Sequence, residues 1–400
     1  MDVRRLLKCS IASSIGLIVA AAFGMGQVPS QKDNGRSETF ALEQQGRWSE
    51  AEVAWQAIAR THPGDAEAYA HLGLLKAHEE RYREAVPFYL RALALNPEMP
   101  ELRLNLGLAY FKAGDLRSAV ASFEPLLRTV LEGSPEALRL TTLIGLADYG
   151  MGAYAAAIPH LKKATAADPQ DLPFRLMLAH SCLWSKHYEC VLATYREILI
   201  LNPDSAEADM LAGEAYDEMK NETAAIAQFQ AAVKADPKAP NVHFGYGYLL
   251  WRILKFNEAE NEFSSELVNN PENTLALTYL ADTEIHLNHS DEALSYLEHA
   301  IRIDSSIALA HLDLGILYRD RERNDDALRE LKAAELLTPD DPAIHWQLGR
   351  IYQTIGQKTE AKAEFEKTRN LQNAETQSVR DKMNQLEAKS AGQNRDIKPK

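Results

Sequence analysis

Residues 206–239 read AEADMLAGEAYDEMKNETAAIAQFQAAVKADPKA, and this stretch decides the fold. Its apolar residues return at intervals of three and four, which is typical of an amphipathic helix. Small residues stand at Gly213 and Ala225, and the large Phe229 follows Ala225 by four positions. An Asp-Pro pair at Pro237 ends the second helical run, because proline disfavours helical geometry in the residue before it. The stretch therefore predicts two helices that approach closely at their small residues.

The same pattern recurs along most of the chain with a period of 34 residues. Prolines that end a helical run form series with this spacing, at Pro63, Pro97, Pro169, Pro203, Pro237, Pro271 and Pro339. A small residue lies late in almost every copy, at Ala51, Ala85, Ala119, Ala157, Ala225, Ala259, Ala293, Ala327 and Ala361. A large apolar residue follows four positions later, at Trp55, Tyr89, Phe123, Leu161, Tyr195, Phe229, Phe263, Leu297, Leu331 and Phe365. An early small residue recurs at Gly73, Gly107, Gly145, Ala179, Gly213, Gly247, Ala281, Gly315 and Gly349, and this regular use of glycine indicates a steric need.

This pattern resembles the tetratricopeptide repeat (TPR) family, whose unit is a helix–turn–helix of about 34 residues. The resemblance covers residues 32–375 as ten units, which start at 32, 66, 100, 138, 172, 206, 240, 274, 308 and 342. The first unit has Thr39 in place of the early glycine, and Leu131 replaces one terminal proline. Four extra residues, Ser134–Ala137, predict a longer turn before the next unit. The resemblance implies an all-α, right-handed superhelical solenoid of antiparallel helix pairs, with a concave groove lined by the first helix of each pair.

The first 26 residues carry the three parts of a secretory signal peptide. Arg4, Arg5 and Lys8 make a positive start, an uncharged run follows from Cys9 to Gln27, and small residues close it. The alternative is an uncleaved N-terminal membrane anchor, because the uncharged run is just long enough to span a bilayer. In both cases we expect the remaining chain outside the cytoplasm, exported to the bacterial periplasm or held at the outer face of a membrane.

The other end segments lie outside the repeat. Residues 27–35 are predicted to form a linker that overlaps the first unit, and residues 391–400 a flexible tail. Residues 376–390 are predicted to form a separate capping helix over the last pair. Its apolar residues share one helical face: Val379, Met383 and Leu386.

Composition and motifs argue against catalysis and against nucleic-acid binding. The 400 residues carry a net charge of −14, whereas nucleic-acid binding needs a concentrated basic surface. His78-Glu79-Glu80 lacks the second histidine of a zinc protease motif, and no phosphate-binding glycine loop or nucleophile elbow is present in the sequence. His311 and His345 share one repeat position, which indicates a packing role. We therefore expect no enzyme activity, no catalytic residue, no metal and no cofactor.

Two cysteines remain once the signal is removed. Cys182 and Cys190 lie on the first and second helices of one unit, eight residues apart across its turn. A disulfide between them would join the hairpin in an oxidising compartment. The alternative is a pair of small buried residues, since sequence does not give the Cα spacing that a disulfide requires.

The resemblance also assigns inward positions to the first helices. Those positions select a candidate partner-binding groove: Trp184, Glu214, Asp217, Glu218, Phe244, Tyr248, Trp251 and Arg252. Phe244, Tyr248 and Trp251 form one stripe at helical spacing, which we call the aromatic stripe. Exposed aromatics beside charges are typical of binding hot spots. The alternative is that the stripe is helix–helix core, although Tyr246, Gly247 and Leu250 already occupy the usual packing positions.

The most specific function that the sequence supports is a protein–protein interaction scaffold. Its groove would bind extended peptide segments or envelope proteins, favouring segments that carry Lys or Arg beside large apolar residues. The alternative is a glycan-binding or assembly subunit of a polysaccharide export machine, because aromatic side chains also stack on sugar rings.

Overall fold

The protein is described by a computed structural model over residues 34–393, and these residues form twenty helices and no strand. The helices are α1 (Asn34–Gln44), α2 (Trp48–Thr61), α3 (Ala66–His78), α4 (Tyr82–Leu95), α5 (Pro100–Ala113), α6 (Leu116–Leu127), α7 (Pro135–Gly150), α8 (Tyr154–Ala167), α9 (Leu172–Trp184), α10 (Tyr188–Leu201), α11 (Ala206–Glu218), α12 (Glu222–Ala235), α13 (Val242–Arg252), α14 (Phe256–Asn269), α15 (Thr274–His286), α16 (Ser290–Ile303), α17 (Ala308–Asp320), α18 (Asn324–Leu337), α19 (Pro342–Thr354) and α20 (Lys358–Gln393). Odd-numbered helices are the first of each pair and even-numbered helices are the second.

Some sequence predictions fall outside the described residues. They are the signal or anchor segment at 1–26, the linker at 27–35 except its last two residues, and most of the tail at 391–400. The side chains of Val379, Met383 and Leu386 also lie outside what the structure describes.

Each pair of helices is joined by a turn of three residues, or of two between α5 and α6, with one left-handed residue. Between α3 and α4, Glu80 has a φ of 58°, and the N–H of Arg81 reaches back to the carbonyl of Lys76 at 2.9 Å. This geometry satisfies carbonyls at the helix end and reverses the chain. Left-handed residues recur at the same place in the other pairs, at Gly46, Gly114, Gly152, Lys186, Lys220, Leu254, Asn288, Glu322 and Gly356.

The insertion at Ser134–Ala137 lengthens a helix as well as a turn. The sequence predicted a longer turn from these four residues. The connection does grow, to seven residues from Arg128 to Ser134, but Pro135–Ala137 belong to the first turn of α7. Ser134 caps that helix, because its hydroxyl accepts a hydrogen bond from the N–H of Ala137 at 3.1 Å, and Pro135 suits the first helical position.

The small residues of one helix pack against large side chains of the paired helix. The predicted alanines at 51, 85, 119, 157, 225, 259, 293 and 327 are fully buried. A Cβ atom added at Gly107 would lie 2.4 Å from the ring of Phe123, and one at Gly73 would lie 2.5 Å from the ring of Tyr89. Such distances are far inside van der Waals contact, so glycine is needed for the helices to approach.

The contacts divide the chain into two compact halves. The N-terminal half comprises the described residues up to Ala225, and the C-terminal half begins at Ile226. Within the N-terminal half, the core is built around buried aromatics that include Trp55, Tyr89 and Phe123. Within the C-terminal half, one cluster is built on Leu297, Leu331 and neighbouring leucines and alanines. The core of the N-terminal half is divided into three successive clusters, and each is built by neighbouring helix pairs.

The last helix differs from the predicted end of the repeat. α20 continues without interruption through 376–390, where a separate capping helix was predicted, and it extends three residues into the predicted tail. The reason is local: residues 358–391 contain neither proline nor glycine, so nothing ends the second helix of the last pair. Among the described residues, no helix combines the length and the apolar character that crossing a membrane requires.

Histidine–glutamate pairs recur inside the C-terminal half, 19 residues apart. His311 Nδ1 lies 2.8 Å from Glu330, and His345 Nδ1 lies 2.6 Å from Glu364. Both histidines are buried, so they have the packing role that the sequence indicated. The hydrogen bond to Glu330 raises the pKa of His311, and the same bond lowers the pKa of Glu330.

The pair makes stability depend on pH with a definite sign. The pKa of His311 is higher in the folded state than its ordinary value of about 6.5. Its protonation therefore stabilises the folded state fully at pH values below about 6.5, and this stability is lost as the pH rises through the folded-state pKa. We therefore expect His311→Gln to cost about 1.5 kcal/mol or more at about pH 6, and much less at about pH 9. Urea unfolding of both proteins across this range measures it. Apart from Glu330, whose pKa the same bond lowers, the titrating groups are common to both proteins and largely cancel in the difference, so a pH-independent difference would contradict the assignment.

Candidate partner-binding surfaces

The candidate groove residues fall into two sets. Trp184, Glu214, Asp217 and Glu218 belong to the N-terminal half, while Arg252 and the aromatic stripe belong to the C-terminal half. Each set is described within its own half.

The aromatic part of the first set is centred on Trp184, the last residue of α9. Its side chain is 49% exposed, and its ring centroid lies 4.4 Å from that of Tyr154 and 5.0 Å from that of His180. Tyr149 is buried beside them, and this burial raises its pKa to about 12. His180 is held by Glu207, with 2.9 Å between Nε2 and the carboxylate. Trp184 is thus supported from behind while much of its ring stays accessible.

Acidic side chains lie on the next first helix, α11. Glu214 and Glu218 are exposed, whereas Asp217 is 92% buried and has its own interactions. Protein atoms that displace water raise the pKa of Glu214; His180 opposes this, and the charges of Asp217 and Glu218 add to it. Glu214 and Glu218 can therefore meet a partner, while Asp217 offers little surface. We call Tyr154, Trp184, Glu214 and Glu218 the N-terminal surface.

The aromatic stripe on α13 is neither core nor freely exposed. Phe244, Tyr248 and Trp251 are all half-buried, whereas Tyr246 is buried as predicted for a packing position. Tyr279 of α15 packs among them, with ring centroids 5.1 Å from Tyr248 and 4.9 Å from Trp251. The stripe therefore packs against the neighbouring pair and still keeps part of its surface accessible.

Polar groups of α15 complete this surface. The Trp251 indole N–H donates a hydrogen bond to Asp282, and His286 Nε2 lies 3.6 Å from the same carboxylate. Burial raises the pKa of Tyr279 to about 12, and the charges of Asp282 and Asp313 add to it. Arg252, also predicted to line the groove, is half-buried at the end of α13. The C-terminal surface, as we use the term, comprises Tyr248, Trp251, Tyr279 and Asp282.

Sequence reasoning missed Tyr154, Tyr279 and Asp313. Two of them, Tyr279 and Asp313, lie on first helices but outside the inward positions that the resemblance supplied. The sequence separation between contacting residues could have identified Tyr279 and Asp313, because contacts between successive first helices join residues 27 to 31 positions apart. Examples are His180 with Glu207, Trp251 with Asp282, and Tyr248 with Tyr279.

One cluster in the C-terminal half has donor atoms that suit a metal. Glu335, His345 and Glu364 bring one ligand atom each within 4.8 Å of one another. However, Lys367 Nζ lies 3.1 Å from Glu335 and 3.0 Å from Glu364. The single ammonium group is paired with both carboxylates and opposes a second cation there, so the cluster acts as an ion-pair network that fixes α20 to its neighbours.

Comparisons with known proteins agree with this architecture. Family models described as tetratricopeptide repeat match residues 76–144 and 149–215, residues 41–100 and 192–240, and residues 276–307. A model described as TPR repeat matches residues 317–356.

Individual relatives are distant. Anaphase-promoting complex subunit 3 of Schizosaccharomyces pombe is 19% identical over 79% of this chain and 47% of its own length. The BBSome complex member BBS4 of Bos taurus is 23% identical over 82% of this chain and 62% of its own length. This chain thus spans about half to three fifths of these two curated relatives.

A solved tetratricopeptide repeat protein from Parabacteroides merdae is 18% identical over 67% of this chain and 98% of its own, with a TM-score of 0.49. The repeat matches together support a protein-interaction scaffold in general, and nothing found indicates catalytic activity. The chain belongs to the tetratricopeptide repeat family.

Proposed function

We propose that this protein is a non-enzymatic scaffold that binds extended segments of partner proteins along its first helices. The observation that carries the proposal is that each half presents accessible aromatic rings beside carboxylates. In the N-terminal half the ring of Trp184 packs beside His180, which is paired with Glu207, and in the C-terminal half Trp251 bonds to Asp282. Large aromatic rings that are already held by neighbours lose little freedom on binding, so they suit a hot spot.

The partner segments carry Lys or Arg beside large apolar residues. Net charge is −14, and the carboxylates of Glu214 and Glu218 lie within reach of anything that contacts α11. An acidic strip of this kind attracts basic segments and raises their association rate, while the aromatic rings supply most of the affinity. A preformed helical surface also avoids the cost of ordering the receptor.

We also propose that the protein is exported, as a periplasmic protein or as one anchored outside the cytoplasm. The support is the disulfide between Cys182 and Cys190, whose Cα atoms are 5.8 Å apart, together with the composition of residues 1–26. Disulfides persist in oxidising compartments and are rare in the cytosol. A reduced pair in protein taken from the native host would contradict export.

Binding to an array of twelve-residue peptides, with basic and apolar residues varied systematically, tests the scaffold. We expect Trp184→Ala, and separately Tyr248→Ala with Trp251→Ala, to weaken the best peptides by about 2 kcal/mol, or roughly 30-fold. Glu214→Lys with Glu218→Lys should mainly slow association and reduce its salt dependence.

Matched controls exist in both halves. Ile200 on α10 and Leu336 on α18 are 81% and 85% exposed, and both lie on second helices. Their alanine variants should bind as the wild type does. Circular dichroism checks that the aromatic variants fold. Unfolding of the Tyr248 and Trp251 variant would show that the stripe is core, and binding of a glycan array in place of peptides would contradict the proposed partner class.

A further inference from the structure

A buried carboxyl group without a partner lies beside the C-terminal surface. Asp313 on α17 is only 5% exposed, and its Oδ2 atom has no hydrogen-bond partner among the residues that the structure describes. Burying such an atom unpaired is costly, and more so when the group is charged. Burial, together with the charge of Asp282, raises the pKa of Asp313 well above its ordinary value.

The repeat geometry brings Asp313 near Asp282, whose charge acts on it. The two are 31 residues apart, the separation that also joins Tyr248 to Tyr279 and Trp251 to Asp282. Asp313 takes on α17 the repeat position that Tyr279 takes on α15, 34 residues earlier. The charges of both aspartates act on Tyr279. Two carboxyl groups and an aromatic wall therefore come together.

We propose that Trp251, Tyr279, Asp282 and Asp313 form a receptor for one arginine side chain of the partner segment. This rests on the proposed function and names the anchor residue within it. A guanidinium group is planar, stacks on aromatic rings and donates to two carboxylates at once. Asp282 is already oriented by the indole N–H of Trp251, and Asp313 brings an acceptor that nothing else uses. Lysine would supply the charge without the planar fork or the stacking surface.

The probe is acetyl-arginine amide, titrated into the full chain while the indole ¹H–¹⁵N resonances of the tryptophans are followed. We expect a saturable shift of the Trp251 resonance, assigned with Trp251→Phe. Acetyl-citrulline amide, the neutral isostere, should give no saturable shift. Asp313→Asn should weaken the arginine probe by about tenfold or more. This substitution keeps the shape of the side chain, so the variant should fold.

Two controls separate the pocket from general acidity. Asp320→Asn, at an exposed position at the end of α17, and Glu214→Lys with Glu218→Lys in the other half should leave the Trp251 titration unchanged.

Equal shifts with citrulline, or unchanged arginine affinity in Asp313→Asn, would overturn the proposal and leave Asp313 as a buried acid that only lowers stability. If peptides bind without any arginine preference, this pocket fails while the scaffold stands. If the arginine probe binds but no peptide does, the scaffold fails while the pocket stands.

Discussion

Gly107→Ala should lower the free energy of unfolding by about 1–3 kcal/mol, although alanine is the better helix former by about 1 kcal/mol. The reason is steric. The new Cβ atom would lie 2.4 Å from the ring of Phe123, which is itself fully buried, so α5 and α6 must move apart. In a solenoid such damage reaches chiefly the neighbouring pairs, so the unfolding transition should also broaden or split. Chemical denaturation followed by circular dichroism measures both effects.

The repeats themselves supply the compensating change. One repeat combines alanine at this position, Ala281, with leucine at the large position, Leu297, whereas Ala179 is matched by the ring of Tyr195. Phe123→Leu should therefore recover part of the stability lost in Gly107→Ala, so the two substitutions should not be additive. Gly64→Ala is the control, because a Cβ atom there meets nothing within 4 Å. A Gly107→Ala protein as stable as wild type would mean that the helices are not in close contact here.

The fold was predictable because every repeat has the same pattern of small and large residues. The small and large positions are visible in the sequence since both are set by one contact between paired helices, and ten copies repeat it. The left-handed residue in each turn was not predicted from the sequence, because only four of the ten residues at this position are glycine. Glu80 and Leu254 adopt the left-handed conformation although neither residue type indicates it. The length of α20 was also not predicted. The family pattern places a helix end after the last repeat, but no proline or glycine ends the helix there.

The candidate site was predictable only in part. The exposure of Trp184 and the stripe on α13 follow from position within one helix, which periodicity reveals. Tyr279 and Asp313 join the site through contacts between successive pairs, and those depend on the spacing between repeats. Asp217 was predicted to line the groove, but it is buried.

Loss of the disulfide should cost about 2.5 kcal/mol, the chain-entropy estimate for a loop of this length. Cys182 is fully buried on α9 and Cys190 half-buried on α10, so the bond joins the two helices of one pair. Trp184 and Tyr188 lie within the eight-residue span that it closes. We therefore expect Cys190→Ser to destabilise this pair and its neighbours and to weaken peptides that depend on Trp184.

Reductant provides the matched control for this prediction. It should destabilise the wild type by the same amount and leave Cys190→Ser unchanged, because that variant has no bond to reduce. Thiol labelling of protein from the native host should find both cysteines blocked until reductant is added, since an exported protein folds in an oxidising compartment. Two reactive thiols in the folded native protein, with no effect of reductant on its unfolding, would refute both the structural disulfide and the proposed export. Oxidation confined to protein purified in air would refute export alone, because the bond would then form without an oxidising compartment.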